Sequence, residues 1–361
     1  GGTGTGNYTS IQSAIDDASD GDTVFVYNGI YYENVNIDKS INLIGENKDN
    51  TIIDGGGTNH VIYVSSNWTS ISGFTIQNCG SYGRNGISLM YTHCNTITGN
   101  IITNNNGDGL YLYSSINNTI MGNIIANNND YGISLNFCSN NTLMDNTITG
   151  NNGVGLRLYS SASSPGHHNN ITGNIITYNN GHGLYLYGSS NNNSIMGNTI
   201  TNNNGEGLYL YSSCNNNNIA GNTLMGNNQG GMYLDYCISN NTIKGNTLTE
   251  NYDEGINIGS SNSNTVVGNI ITNTGSEGIH LTSSVNTIIT GNTITGSNEE
   301  GIYLYSSSSN TVTGNMVIGT NNDGIGLSVC NGNTITGNTI TDSDENGIYL
   351  SSSSSNTVTG N

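Results

Sequence analysis

The feature that most constrains this chain is a repeat. A Gly followed by Ile, Leu or Met recurs at Gly86, Gly109, Gly132, Gly155, Gly183, Gly207, Gly231, Gly255, Gly278, Gly301, Gly324 and Gly347, every 23 or 24 residues with one interval of 28. An Asn keeps step with it, from Asn100 and Asn123 to Asn338 and Asn361. Each unit carries three short alternating segments, I-Y-L-Y, T-V-T and x-I-T, as residues 301–320 show. Alternation with period 2 marks strands with one buried face. Strands this short leave a single unit unable to bury its own apolar side, and stacking equivalent strands along an axis solves that. The spacing therefore predicts an all-β fold: a single-stranded parallel β-helix of about fourteen turns, three strands to a turn, right-handed as parallel crossovers are. Leu110 and Leu112, Ile133 and Leu135, Leu184 and Leu186, and their successors to Ile348 and Leu350 form one inward column. Ile97, Ile120, Leu143, Ile171, Ile195, Ile219 and Ile243 form another, and neither column contains a charge. The Asn column from Asn100 to Asn361 predicts an asparagine ladder, with stacked amides bonding turn to turn.

The two ends differ. Residues 1–22 predict an N-terminal capping segment: Tyr8–Asp20 places Ile11, Ala14, Ile15 and Ala18 at helical spacing behind Thr9 or Ser10 as N-cap. Such a helix would cover the unpaired edges of the first turn. Residues 23–361 predict one continuous coil with an insertion near 161–168, where the only proline, Pro165, stands. No comparable cap is expected at Asn361, where the chain stops in mid-repeat. That leaves two readings, a longer array or an edge covered by another molecule, and open head-to-tail contacts make filaments.

Composition removes several function classes. With 24 Asp and Glu against 5 Lys and Arg, the formal charge is −19. That lacks the electrostatic term on which nucleic-acid binding depends, and it opposes docking to anionic membranes. No apolar run reaches the ~18 residues of a membrane helix. Six scattered Cys without a C-x-x-C pair make neither a disulfide scaffold nor a zinc finger.

The stretch I-Q-S-A-I-D-D-A-S-D-G-D-T-V-F-V-Y-N-G-I-Y-Y-E-N-V-N-I-D-K-S-I-N-L-I-G-E, residues 11–46, resembles the N-terminal signature of pectin-lyase-like right-handed β-helices. The N-T-I-T-G-N-x-I repeats resemble the NosD-like, or CASH-type, repeat proteins found on archaeal cell surfaces. The resemblance covers nearly the whole chain. It implies the fold more than an activity, because one fold hosts many functions.

The lyase members imply acidic Ca²⁺ ligands with an Arg or Lys base, and Arg157 points outward without an Asp cluster beside it in the sequence. Gly181-His182-Gly183 matches the G-H-G of the polygalacturonase members, but it is also the ordinary G-x-G of the repeat. His167 and His168 fall in the insertion. An acidic column precedes the repeat Gly at Asp108, Glu206, Glu254, Glu277, Glu300 and Asp323. Glu254, Glu277, Glu300 and Asp323 on consecutive turns predict a Ca²⁺ site that would relieve their repulsion. No other cofactor is expected. Outward Tyr111, Tyr113, Tyr185, Tyr187, Tyr209, Tyr211, Tyr233, Tyr303 and Tyr305 form stripes suited to sugar rings or to a neighbouring rod. Regular T-x-T pairs such as Thr96/Thr98 and Thr334/Thr336 are a feature of ice-binding solenoids. Sequons at Asn67, Asn117, Asn140, Asn170, Asn192 and Asn240 are glycosylation candidates. Cys214 and Cys237 predict a disulfide between stacked turns.

Together these features lead to an expectation of a non-enzymatic, extracellular structural β-solenoid. It would be a cell-surface, sheath or filament block that associates with copies of itself or with other surface proteins. A polysaccharide-binding or polysaccharide-cleaving β-helix is the alternative, and an ice-binding solenoid the third reading. An acid pair beside a basic residue in a groove would favour the enzyme.

Overall fold

The computed structural model describes residues 6–81, 83–161, 166–237 and 239–361. Of the insertion expected at 161–168, residues 162–165 lie outside them. The chain forms an all-β parallel β-solenoid of about fourteen turns, with strands in three parallel sheets. Among the described residues the only helix is Ile11–Asp17, and none is long and apolar enough to cross a membrane. The coil comprises two compact units, Gly1–Asn180 and Gly181–Asn361.

In both units each strand pairs with its equivalent one repeat later. In the first, Leu110 faces Ile133 and Leu112 faces Leu135; in the second, Leu184 faces Leu208 and Leu186 faces Leu210. The inward columns are buried as expected, Leu112, Leu186 and Leu304 completely. Leu350, on the last strand of its ladder, is exposed. The repeat Gly is a steric requirement. A Cβ on Gly207 would lie 2.7 Å from the carbonyl oxygen of Gly231 and 2.8 Å from the Asn227 amide. The Gly of T-G-N has a different reason, since Gly221 turns the corner at φ 62°.

Three Asn ladders run along the coil where one was expected. In the first unit they are Asn95–Asn118–Asn141–Asn169, Asn100–Asn123–Asn146–Asn174 and Asn105–Asn128–Asn151–Asn179. Asn123 shows the pattern. Its backbone N–H and Nδ2 both donate to Oδ1 of Asn146, at 3.1 and 3.0 Å, and Nδ2 also donates to the Ile97 carbonyl at 2.9 Å. Its own Oδ1 accepts from the backbone of Asn100 at 3.0 Å. Each buried amide thus satisfies the turn on either side, which is why a dry interior tolerates it.

The helix is shorter than the sequence suggests, and Ser10 caps it by accepting from Ser13 N at 3.1 Å. Ile11 and Ile15 are its buried face. Charged residues from the coil hold both of its ends. The Glu33 carboxylate accepts from Ile11 N and Gln12 N at 2.9 Å each, and Lys39 Nζ donates to the carbonyls of Ile15, Asp16 and Ala18. These pairings match the partial charges of a helix's two ends.

Candidate functional site

The I-Y-L-Y sheet of the first unit brings together the groups most suited to chemistry. Its register places Tyr111, Ser134 and Arg157 in one outward column and Tyr113, Asn136 and Tyr159 in the next. The Arg157 guanidinium lies over the Tyr131 ring at 4.9 Å and the Tyr159 ring at 5.5 Å, sandwiched as cation–π partners. Asn136 links the columns: its Nδ2 donates to the Tyr111 hydroxyl at 3.1 Å, and its Oδ1 lies 3.5 Å from Arg157 Nη2.

Two carboxyls of neighbouring turns act on Arg157 electrostatically. Asp108 and Asp130 both lie within its electrostatic reach. Asp108 is only 7% exposed and accepts from Tyr131 N at 3.1 Å. Burial and the Asp130 charge push its carboxyl up to about 7, against the opposing pull of the Tyr131 N–H and Arg157. Asp130 is raised by desolvation, with Arg157 opposing. Burial likewise raises Tyr111, although Asn136 counteracts it. The charges of Asp108, Asp130 and Arg157 therefore act on one another although the three stand on successive turns.

An aromatic strip borders this group. Tyr91, Tyr113, Phe137 and Tyr159 touch in series, with centroids 5.3, 5.5 and 5.2 Å apart, and the first two contacts are edge-on. Tyr91 and Phe137 occupy the corner position at φ 56° and 57°. A left-handed backbone costs a bulky residue about 1–2 kcal/mol, and Tyr91 remains 69% exposed. The same corner is left-handed at Ser114, Tyr236, Ser283 and Val329, so the conformation belongs to the repeat.

The second unit uses the same column differently. Tyr185, Tyr209 and Tyr233 stack face to face, 5.1 and 5.2 Å apart at 14° and 10°. Their ring faces cover one another, so this stripe does not offer them to sugar rings. His182 packs on Tyr185 and Tyr209, accepts from Glu206 N at 2.9 Å, and is held neutral by burial, its pKa lowered to about 4. Burial and the charges of Glu254 and Asp253 push Glu206 up to about 7.

The acidic column divides. Glu254, Glu277 and His280 converge, and so do Glu277, Glu299 and Glu300. Asp323 instead accepts from the backbone and amide of Asn346. His280 figured in the sequence only as a break in the tyrosine stripe. Its place one turn above Asn257 was the available signal.

Among the glycosylation candidates, Asn117, Asn140, Asn192 and Asn240 are exposed at positive φ. Asn67 is half-buried and accepts from His93 N, and Asn170 lies within a strand. Cys214 and Cys237 are buried free thiols in mutual contact, donating to the carbonyls of Gly188 and Leu210.

Residues 15–204 match the family described as periplasmic copper-binding protein (NosD), and residues 217–361 match the right-handed beta helix region. Similar solved structures include the A-module of a mannuronan C-5 epimerase from Azotobacter vinelandii, at 16% identity and TM-score 0.57. That match covers 96% of this chain and 94% of that one. The tailspike protein 3 of bacteriophage CBA120 shares 12% identity at TM-score 0.57, over 95% of this chain and 57% of that one. A DFA-IIIase from Arthrobacter chlorophenolicus shares 14% at 0.53, over 84% and 89%. No curated protein matches in sequence. At such identities the likeness establishes the fold alone. It still overturns the expectation of a chain without catalysis, since the same coil serves as an enzyme in the epimerase and the DFA-IIIase. With the NosD match spanning more than half its length, the chain belongs to the NosD family.

Proposed function

We propose that this protein is a carbohydrate-active β-helix that binds and processes a glycan along the I-Y-L-Y face of its first unit. The observation that carries the reading is the joint presence of Asp108, Asp130 and Arg157 beside the strip Tyr91–Tyr113–Phe137–Tyr159. Exposed aromatic faces pack against the C–H faces of sugars, and the strip spans consecutive turns as a polymer requires. The excess negative charge favours a neutral glycan, because the field of Arg157 is largely spent on the two carboxyls.

Chemically, a carboxyl titrating at about 7 retains a proton where an ordinary Asp has lost it. Asp108 would donate that proton to the glycosidic oxygen as the bond breaks. Asp130 would take a proton from the attacking water, the division of labour of a carboxyl pair in glycoside hydrolysis. Arg157 and Tyr111 would hold sugar hydroxyls. The family's description as periplasmic supports work outside the cytoplasm, where such polymers occur.

That description also names copper, and the donors here do not fit a copper(I) site. Five of the six cysteines are buried free thiols, and the two in contact, Cys214 and Cys237, have no third ligand converging on them among the described residues. Among the described residues the converging groups contain only carboxylates and one imidazole.

The test is reducing-end release from a panel of neutral polysaccharides, with binding measured by affinity electrophoresis. Asp108→Asn should lower turnover at least 100-fold with binding retained, and Tyr91→Ala should weaken binding several-fold. Unchanged turnover in Asp108→Asn would remove its role as acid, and no glycan retarding the protein would remove the reading.

A further inference from the structure

A second constellation lies in the unit Gly181–Asn361. We propose that Glu254, Glu277 and His280 form a binding site for a divalent transition-metal ion of zinc's class. His280 Nδ1 is fully buried and has no hydrogen-bond partner. It lies 3.6 Å from Glu254 Oε1 and 3.5 Å from Glu277 Oε1. Both separations exceed a good N–H···O bond. They do match the edge of a tetrahedron around an ion held at ~2.0–2.2 Å, which is about 1.6 times the bond length, or ~3.3–3.6 Å.

The surroundings orient each donor. Thr282 Oγ1 bonds His280 Nε2 at 3.0 Å, which holds the ring with Nδ1 facing the carboxylates. Asn257 Nδ2 donates to Glu254 Oε1 at 2.7 Å, and Ser276 Oγ donates to Glu277 Oε2 at 2.5 Å. Partners behind the ligands are the usual accompaniment of a metal centre. Glu277 is 6% exposed, so its charge is poorly solvated, and Glu299 and Glu300 converge on it from the neighbouring turn. With Nε2–H turned to Thr282, the Nδ1 lone pair faces two carboxylates and a cation among the three groups relieves their repulsion. The nitrogen donor and the small ligand count disfavour Ca²⁺, which takes six to eight oxygens. Three donors with an open fourth position suit zinc. The Ca²⁺ site expected along Glu254, Glu277, Glu300 and Asp323 thus becomes a compact site that includes His280.

Calorimetric titration of the chelator-stripped chain at pH 7.5 tests this, with Zn²⁺ and Ca²⁺ as separate probes. The expected result is one Zn²⁺ per chain, weakened at least 10-fold in His280→Gln and in Glu254→Gln and unchanged in Glu299→Gln. Circular dichroism in chelator confirms that the variants remain folded. Absence of Zn²⁺ binding would overturn the proposal, because a proton on His280 then suffices to join the carboxylates. Binding that survives His280→Gln but falls in Glu299→Gln would also overturn it, placing the ion among carboxylates alone.

Discussion

The outer faces of the I-Y-L-Y sheet in the two units make the most instructive comparison in the molecule. Their interiors are interchangeable: Leu110 and Leu112 in one, Leu208 and Leu210 in the other, all fully buried. Their exteriors share a register and little else. The first unit places Tyr111, Ser134 and Arg157 in the column, with Asp108 alongside, and its aromatic rings meet edge-on. The second places Tyr209, Tyr233, Asn257 and His280 there, with rings stacked flat and Glu206, Glu254 and Glu277 alongside. A dry core admits few residue types, whereas an outward position answers only to its neighbours above and below. Function on such a coil is therefore set by which side chains occupy adjacent turns.

The largest expected effect tests the shared interior. Asn123→Ala and Asn222→Ala should each cost about 3 kcal/mol, since each orphans buried partners on two turns. Denaturant unfolding with a large loss in only one unit would break the equivalence. A pH effect comes next and concerns the two exteriors. Asp108 and Glu206 titrate near 7 when folded but near 4 when unfolded, so between those values the folded chain holds more protons. Their contribution to stability is greatest below about pH 4 and declines as pH rises to about 7. Asp108→Asn and Glu206→Gln should each flatten that decline in melting experiments, and an unaltered slope would show that neither group is strained. The smallest effect sharpens the contrast. Arg157→Gln removes two cation–π contacts worth about 1 kcal/mol. It should also raise the Asp108 and Asp130 titrations further, which NMR would detect, while Glu206 stays where it is.

Much of the fold was legible because the period is explicit. The inward leucines and isoleucines follow from alternation, and the cap follows from Ile11 and Ile15 at helical spacing. Two of the three Asn ladders were overlooked although Asn95, Asn100 and Asn105 stand five apart in the sequence. That spacing is the signal that all three corners carry the amide on these turns, although Thr274 and Ser297 take the third corner farther on. The candidate sites were far less legible. The charges of Asp108 and Asp130 reach Arg157 from earlier turns, and His280 lies beside Glu254 of the turn before, neighbours that sequence order does not reveal.

By itself the sequence determined the winding: a repeat of 23 or 24 residues, its glycines and its apolar alternation admit one way to hide the core. Only the tertiary structure decided which groups meet. Stacking brings residues a full turn apart within a few ångströms, and small differences in side-chain direction then settle whether rings expose their faces and whether carboxyls find a cation.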